Sequence, residues 1–89
     1  MKLIKFEQVN CHPCKMVETY MKDTLNFSVD EVIDVSKKDK ETKALLRKYK
    51  VQATPTLLLV DNEEKEISRV IGMSPDDISK ICKLRNTSK

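Results

Sequence analysis

No apolar stretch in these 89 residues approaches the roughly 20 consecutive positions that a membrane-spanning helix needs. No charged, apolar and small-residue leader is expected either, because strand-forming residues begin right after Met1. A cytoplasmic chain with no membrane partner is therefore expected. Aromatic residues are scarce: tryptophan is absent, and the two Tyr and two Phe lie outside any basic stripe. Without a zinc-finger spacing or an aromatic RNA-binding signature, no nucleic-acid partner is expected. Neither sign of charge dominates. Seventeen basic and 14 acidic residues leave +3, and the densest basic cluster, Lys37-Lys38-Asp39-Lys40, is broken by an acid, as on a solvated face. Cysteine occurs three times, an odd number that prevents full internal pairing. In a reducing compartment a close cysteine pair points to catalysis or metal binding rather than to a structural staple. With 39% hydrophobic and 35% charged residues, the expectation is one compact, monomeric domain over residues 1–89 with a modest core.

What is present is Cys11-His12-Pro13-Cys14, set between the apolar run Leu3-Ile4-Lys5-Phe6 and a stretch with helical periodicity. Two thiols one helical turn apart can open and close a disulfide without rearranging the fold. Cys11, at the helix N-terminus, meets unpaired backbone amides that favour negative charge, so it is the expected attacking thiolate. Cys14 then attacks the mixed disulfide and releases the reduced substrate. Its proximity makes that second step fast. Pro13 fixes φ and gives up an amide that had no helical partner. A protonated His12 would stabilise thiolate at Cys11 and tune the pair towards oxidant behaviour; the competing reading has His12 pointing into water.

Periodicity supplies the elements. Lys2 to Val9 reads as a strand with Ile4 and Phe6 on one face, and Met16, Val17, Tyr20 and Met21 recur as on a helix over 13–25. Residues 29–35 read as a second strand. Ser36 to Asp39 fits a capping box that opens a helix with Leu45, Leu46 and Tyr49 buried. That makes a βαβ unit with parallel strands and a right-handed crossover. Thr56 to Val60 reads as a strand buried on both faces. Residues 65–71 alternate as its antiparallel partner, ending at Gly72. Ser74-Pro75-Asp76-Asp77 opens a last helix carrying Ile78, Ile81 and Cys82. The fold class is α/β, in the order βαβαββα.

That order, the C-x-P-C turn, Val32-Ile33-Asp34-Val35, Tyr49-Lys50-Val51 leading into Thr54-Pro55-Thr56-Leu57, and Val70-Ile71-Gly72 together resemble the thioredoxin superfamily. The likeness is to its small, N-terminally trimmed form, shared with glutaredoxins, and covers nearly the whole chain. It implies a thioredoxin fold with a mixed four-stranded sheet flanked by three helices. It implies a cytosolic protein-disulfide reductase that works by dithiol exchange without a bound cofactor or metal. Its partners would be disulfide-containing proteins, ribonucleotide reductase among them, and a thioredoxin-reductase-like flavoenzyme that recharges it. It further implies a cis Thr54-Pro55 bond facing the cysteines. Thr54, Pro55, Ile71 and Gly72 are the expected substrate-contacting positions.

The chain departs from that pattern in places. Where thioredoxins carry a tryptophan before the first cysteine and a buried acid six residues before it, this chain has Asn10 and Lys5. Glu7, on the same strand face as Lys5, is a substitute acid or simply an exposed carboxylate. Glutathione-dependent glutaredoxins show a double glycine before the last helix, whereas here Ile71-Gly72-Met73 stands. Recharging by a flavoenzyme is accordingly favoured over a glutathione-linked glutaredoxin. A non-catalytic partner-binding module is a further alternative. A zinc reading through Cys11, His12, Cys14 and Cys82 is disfavoured, since adjacent residues rarely converge on one ion. Cys82 reads as a small buried hydrophobe, Met16 and Met21 as core filling, and Tyr20 and Tyr49 as helix anchors.

Overall fold

In a computed structural model that describes residues 1–87, the strand β1, Lys2–Glu7, is the hub of the sheet. Successive side chains of a strand point to opposite faces, so Leu3 and Lys5 look one way and Ile4 and Phe6 the other. All four are buried. On one side β1 pairs in parallel with β2, Glu31–Asp34, and on the other antiparallel with β3, Thr56–Val60. β4, Glu66–Ile71, runs antiparallel to β3, giving the order β2-β1-β3-β4 with β2 and β4 at the edges. Between β1 and β2 lies α1, His12–Thr19, continued by a π-helical turn over Tyr20–Thr24. α2, Lys40–Lys48, follows β2, and α3, Pro75–Thr87, follows β4. This is the expected mixed four-stranded sheet with three helices, in the expected order.

Each face of the sheet carries its own core. Leu3, Leu57, Leu59 and Val70 pack against Val17 and Met21 of the first helical segment and Ile78, Ile81 and Cys82 of α3. Ile4, Phe6, Ile33, Leu58 and Val60 pack against Tyr49, Leu45 and Leu46 at α2. β3 is buried along its whole length because both layers use it, which explains its uninterrupted apolar sequence. Tyr20 anchors the first helix to α3, its hydroxyl 2.9 Å from Ser79 Oγ.

Several boundaries differ from expectation. β1 stops at Glu7 rather than Val9, and β2 holds only the centre of 29–35. α2 starts at Lys40, with Asp39 as its cap: the Asp39 carboxylate accepts from Thr42 N at 2.7 Å. Ser36 is not the cap, because Asp34 engages it instead, accepting from Ser36 N at 2.9 Å. Met16 is 43% exposed, not core filling, since it falls on the outer side of α1 between buried Cys14 and Val17. In β4 a register shift opposite Leu59 and Val60 interrupts the simple alternation, and Ile67 and Ile71 face solvent while Val70 is buried.

Asp30 joins the start of β1 to the end of α3. Its Oδ2 accepts from Leu3 N at 2.7 Å and from Arg85 Nε at 2.7 Å, and its Oδ1 accepts from Arg85 Nη2 at 2.9 Å. The bidentate Arg85 fork, with the Leu3 amide, holds the Asp30 carboxyl below its ordinary value. A carboxyl whose folded-state pKa is depressed contributes stability above its unfolded value of about 3.9 and loses it as pH falls through the folded one. Asp30→Asn is therefore expected to flatten the acid limb of the stability curve. Urea midpoints between about pH 5 and pH 2 check this: the drop should be shallower in the variant than in the unaltered chain.

Candidate active site

Asn10 turns the chain out of β1 and into α1 with φ of 59°, a left-handed conformation that asparagine tolerates better than most residues. The next residue, Cys11, sits in extended geometry as the N-cap of α1, and its Sγ accepts from Cys14 N at 3.2 Å. Pro13 falls in the first turn, where its missing N–H has no cost. The cap therefore places Cys11 and Cys14 in one helical turn, with Cα atoms 5.2 Å apart, and they are joined as a disulfide. Both are buried, Cys11 to 7% and Cys14 to 4% exposure. An amide aimed at Cys11 Sγ, at the positive end of a helix, is placed to stabilise negative charge there when the bond opens. His12 and Pro13 stand exposed above the pair.

The segment before β3 closes over the disulfide. Thr54 Oγ1 lies 3.9 Å from Cys11 Sγ, and the Thr54–Pro55 peptide bond is cis. Thr56 Oγ1 donates to Ala53 O at 2.7 Å, fixing the turn. Gly72 N donates to Pro55 O at 2.9 Å, which ties the end of β4 to the same segment. Gly72 has φ of +81°, so a side chain at this position would strain the backbone although the space beside it is open. Ile71, 60% exposed, stands opposite Thr56 in the β3–β4 ladder. The fold thus brings Cys11 and Cys14 up to Thr54, with Pro55, Ile71 and Gly72 joined behind it.

An open cleft of about 330 Å³ runs along the other side of the cysteines, lined by Glu7, Val9, Cys11, Cys14 and Glu18 among others. Val9, 65% exposed, is a rim residue beyond the end of β1, although the strand is expected to run from Lys2 to Val9. Its apolar, β-branched side chain carries no sequence signal that sets it apart from the strand. Lys5 is 4% exposed, and its Nζ pairs with Glu7 Oε1 at 2.9 Å. Glu7 is accordingly a half-buried, ion-paired carboxylate, not a freely exposed one.

Cys82 lies apart from this site, inside the core between α1 and α3, and burial pushes its thiol up to about 11. At neutral pH it stays protonated and a poor nucleophile. Among the described residues no three His, Cys, Asp or Glu side chains converge in the manner of a metal site.

Comparison with known proteins points one way. The family description "Thioredoxin" matches residues 1–83. The SPbeta prophage-derived thioredoxin-like protein YosR of Bacillus subtilis (strain 168) is 31% identical over 83 residues, covering 93% of this chain and 96% of the relative. Thioredoxin H2-2 of Oryza sativa subsp. japonica is 35% identical over 81 residues, but there the chain spans only 57% of the relative's length. Among solved structures, thioredoxin from Malassezia sympodialis superposes with a TM-score of 0.73 at 22% identity, covering 92% of this chain and 71% of that one. Thioredoxin NaTrxh from Nicotiana alata gives 0.64 at 32% identity, with 90% and 70% covered.

Proposed function

Because the chain belongs to the thioredoxin family and carries a Cys11–Cys14 disulfide, it is a protein-disulfide oxidoreductase, and we propose that it runs as a reductant in the cytoplasm. The observation that carries the reading is the pair itself, closed within one turn at the head of α1 with an amide aimed at Cys11 Sγ. In the reduced protein, Cys11 thiolate attacks a substrate disulfide, forming a Cys11–substrate bond and expelling one substrate thiolate. Cys14 then attacks Cys11 Sγ, the second substrate sulfur leaves, and the Cys11–Cys14 bond re-forms. Two electrons pass from the dithiol to the substrate.

Thr54, Pro55, Ile71 and Gly72 form the proposed docking strip for the substrate chain beside the disulfide. Exposed Ile71 supplies an apolar contact, and the bond from Gly72 N to Pro55 O keeps the strip in one piece. His12, exposed next to Cys11, adds positive charge there when protonated and shifts the pair towards a more oxidising potential than that of thioredoxin. We take residues 1–89 as a single, monomeric working unit recharged by a thioredoxin-reductase-like flavoenzyme, with ribonucleotide reductase among its acceptors. The absence of the glutathione-type double glycine around Gly72 supports that electron source over glutathione.

NADPH-coupled insulin reduction tests both points when run in parallel with thioredoxin reductase and with glutathione plus glutathione reductase. Turnover is expected with the flavoenzyme. Turnover confined to glutathione would overturn the assigned electron source, and none in either system, together with no exchange with dithiothreitol, would overturn catalysis altogether.

A further inference from the structure

A buried lysine is costly unless a partner meets its charge. Lys5 has such a partner in Glu7, at 2.9 Å, and among the described residues no buried side-chain nitrogen or oxygen is left without one. The pair has a direction. Leu3, Lys5 and Glu7 follow one another along the face of β1 that packs beneath α1, and Glu7 ends the row where the strand opens into the cleft of about 330 Å³ that it shares with Cys14. Lys5, behind it, anchors the carboxylate from the buried side.

Resolution of a mixed disulfide requires Cys14 to lose a proton first, because only the thiolate attacks. Cys14 is almost wholly enclosed, so the acceptor must be a group that shares its cleft. The charged side chains facing Glu7 are Lys5 on its own strand, Asp34 beside it in register on β2, and Glu18, Lys15 and Lys22 on the helical segment packed above it. Of the two carboxylates lining the cleft, Glu18 is exposed on α1, whereas Glu7 is fixed by its ion pair.

We propose that Glu7 is the proton acceptor for Cys14 and that Lys5 is the positioning residue that holds it at the cleft. This rests on the dithiol cycle of the preceding section. The Cys14 S–H proton passes to the Glu7 carboxylate through one bridging water, for which the cleft has ample room. The Cys14 thiolate forms the bond to Cys11 Sγ, the Cys11–substrate bond breaks, and Glu7 gives its proton to the departing substrate thiolate, directly or by way of water in the open cleft. The carboxylate is thereby restored.

Acid-quenched single-turnover reduction of a disulfide peptide, repeated across pH, reads the two chemical steps apart. Glu7→Gln is expected to leave attack by Cys11 unchanged but to slow decay of the mixed disulfide by roughly 10²-fold near neutrality, with the rate recovering as pH rises and hydroxide takes over. Glu7→Asp, which keeps the acid on a shorter arm, should regain part of that rate. Lys5→Met should slow decay in the same direction by less, and Glu18→Gln should not slow it. Should Glu7→Gln fail to fold by circular dichroism, the Glu7→Asp and Lys5→Met profiles carry the test.

Decay at the unaltered rate and pH profile in folded Glu7→Gln, or in both substitutes, would overturn the proposal. A loss appearing in Glu18→Gln instead would do the same. Neither result touches the dithiol cycle. That cycle fails separately, if the unaltered chain forms no mixed disulfide at all.

Discussion

Cys14→Ser is expected to turn the protein from a catalyst into a trap, with insulin reduction falling by about 10³-fold or more while a covalent adduct with substrate accumulates on Cys11. The size follows from geometry. Cys14 is held one helical turn from Cys11, with 5.2 Å between Cα atoms, so resolution is intramolecular. Effective molarities of well-oriented groups reach about 10⁵ M and beyond, whereas a free thiol reductant works at millimolar levels. Serine keeps the size of the side chain and loses the nucleophilic thiolate. Cys11→Ser should be equally inactive but should capture nothing, because Cys14 is the more buried of the two residues and the helix amide points to Cys11 Sγ, not to the Cys14 sulfur. Non-reducing electrophoresis and mass spectrometry after incubation with a disulfide protein read both outcomes. An adduct on Cys14 in the Cys11→Ser protein would reverse the assignment of the two sulfurs.

Phe6→Ala should destabilise the fold by about 4 kcal/mol, the upper part of the range for deleting a buried aromatic. Phe6 is 0% exposed in the core between the sheet and α2, with its ring edge-on to Tyr49 at 6.3 Å between centroids. Truncation removes the burial, the ring pair and the contacts with Ile4 and Leu58 together. Neighbours on a paired strand cannot close the hole, since β1 is held on both sides. For a domain of this size each kcal/mol shifts Tm by roughly 4–8 °C, so a fall on the order of 20 °C is expected by calorimetry. A change under about 5 °C would mean that the α2 layer contributes little to cooperativity.

The contrast between Phe6 and its neighbour Lys5 shows where the sequence was legible. Ile4 and Phe6 alternate on one strand face, and the uniform run Thr56 to Val60 marks a strand used by both layers. Signals of that kind depend on nearest neighbours in the chain. The cysteine turn is equally local, since its spacing and Pro13 are enough to place both sulfurs at the start of a helix. Lys5 is different: lysine is seldom fully buried, and its place inside depends on Glu7 two residues on and on α1 lying above them.

The opening of α2 was ambiguous for a physical reason. Ser36 and Asp39 are both good caps, and the choice fell to Asp39 because Asp34 captures Ser36 across the end of β2. Exposed Met16 shows a similar limit, because helical periodicity gives the spacing of the apolar stripe but not its width. The irregularity between β3 and β4 left no mark in the residues that carry it.

The outer margin of β2 offers its backbone groups to any passing strand, and Val32 stands 53% exposed there. Yet this margin is only four residues long and bears an acid at each end, Glu31 and Asp34. Two molecules laid antiparallel along it would have to bring Glu31 with its Lys2 partner against Asp34 with its Ser36 partner at both ends. Short margins ending in charged groups that already have partners discourage crowded molecules from zipping into fibrils.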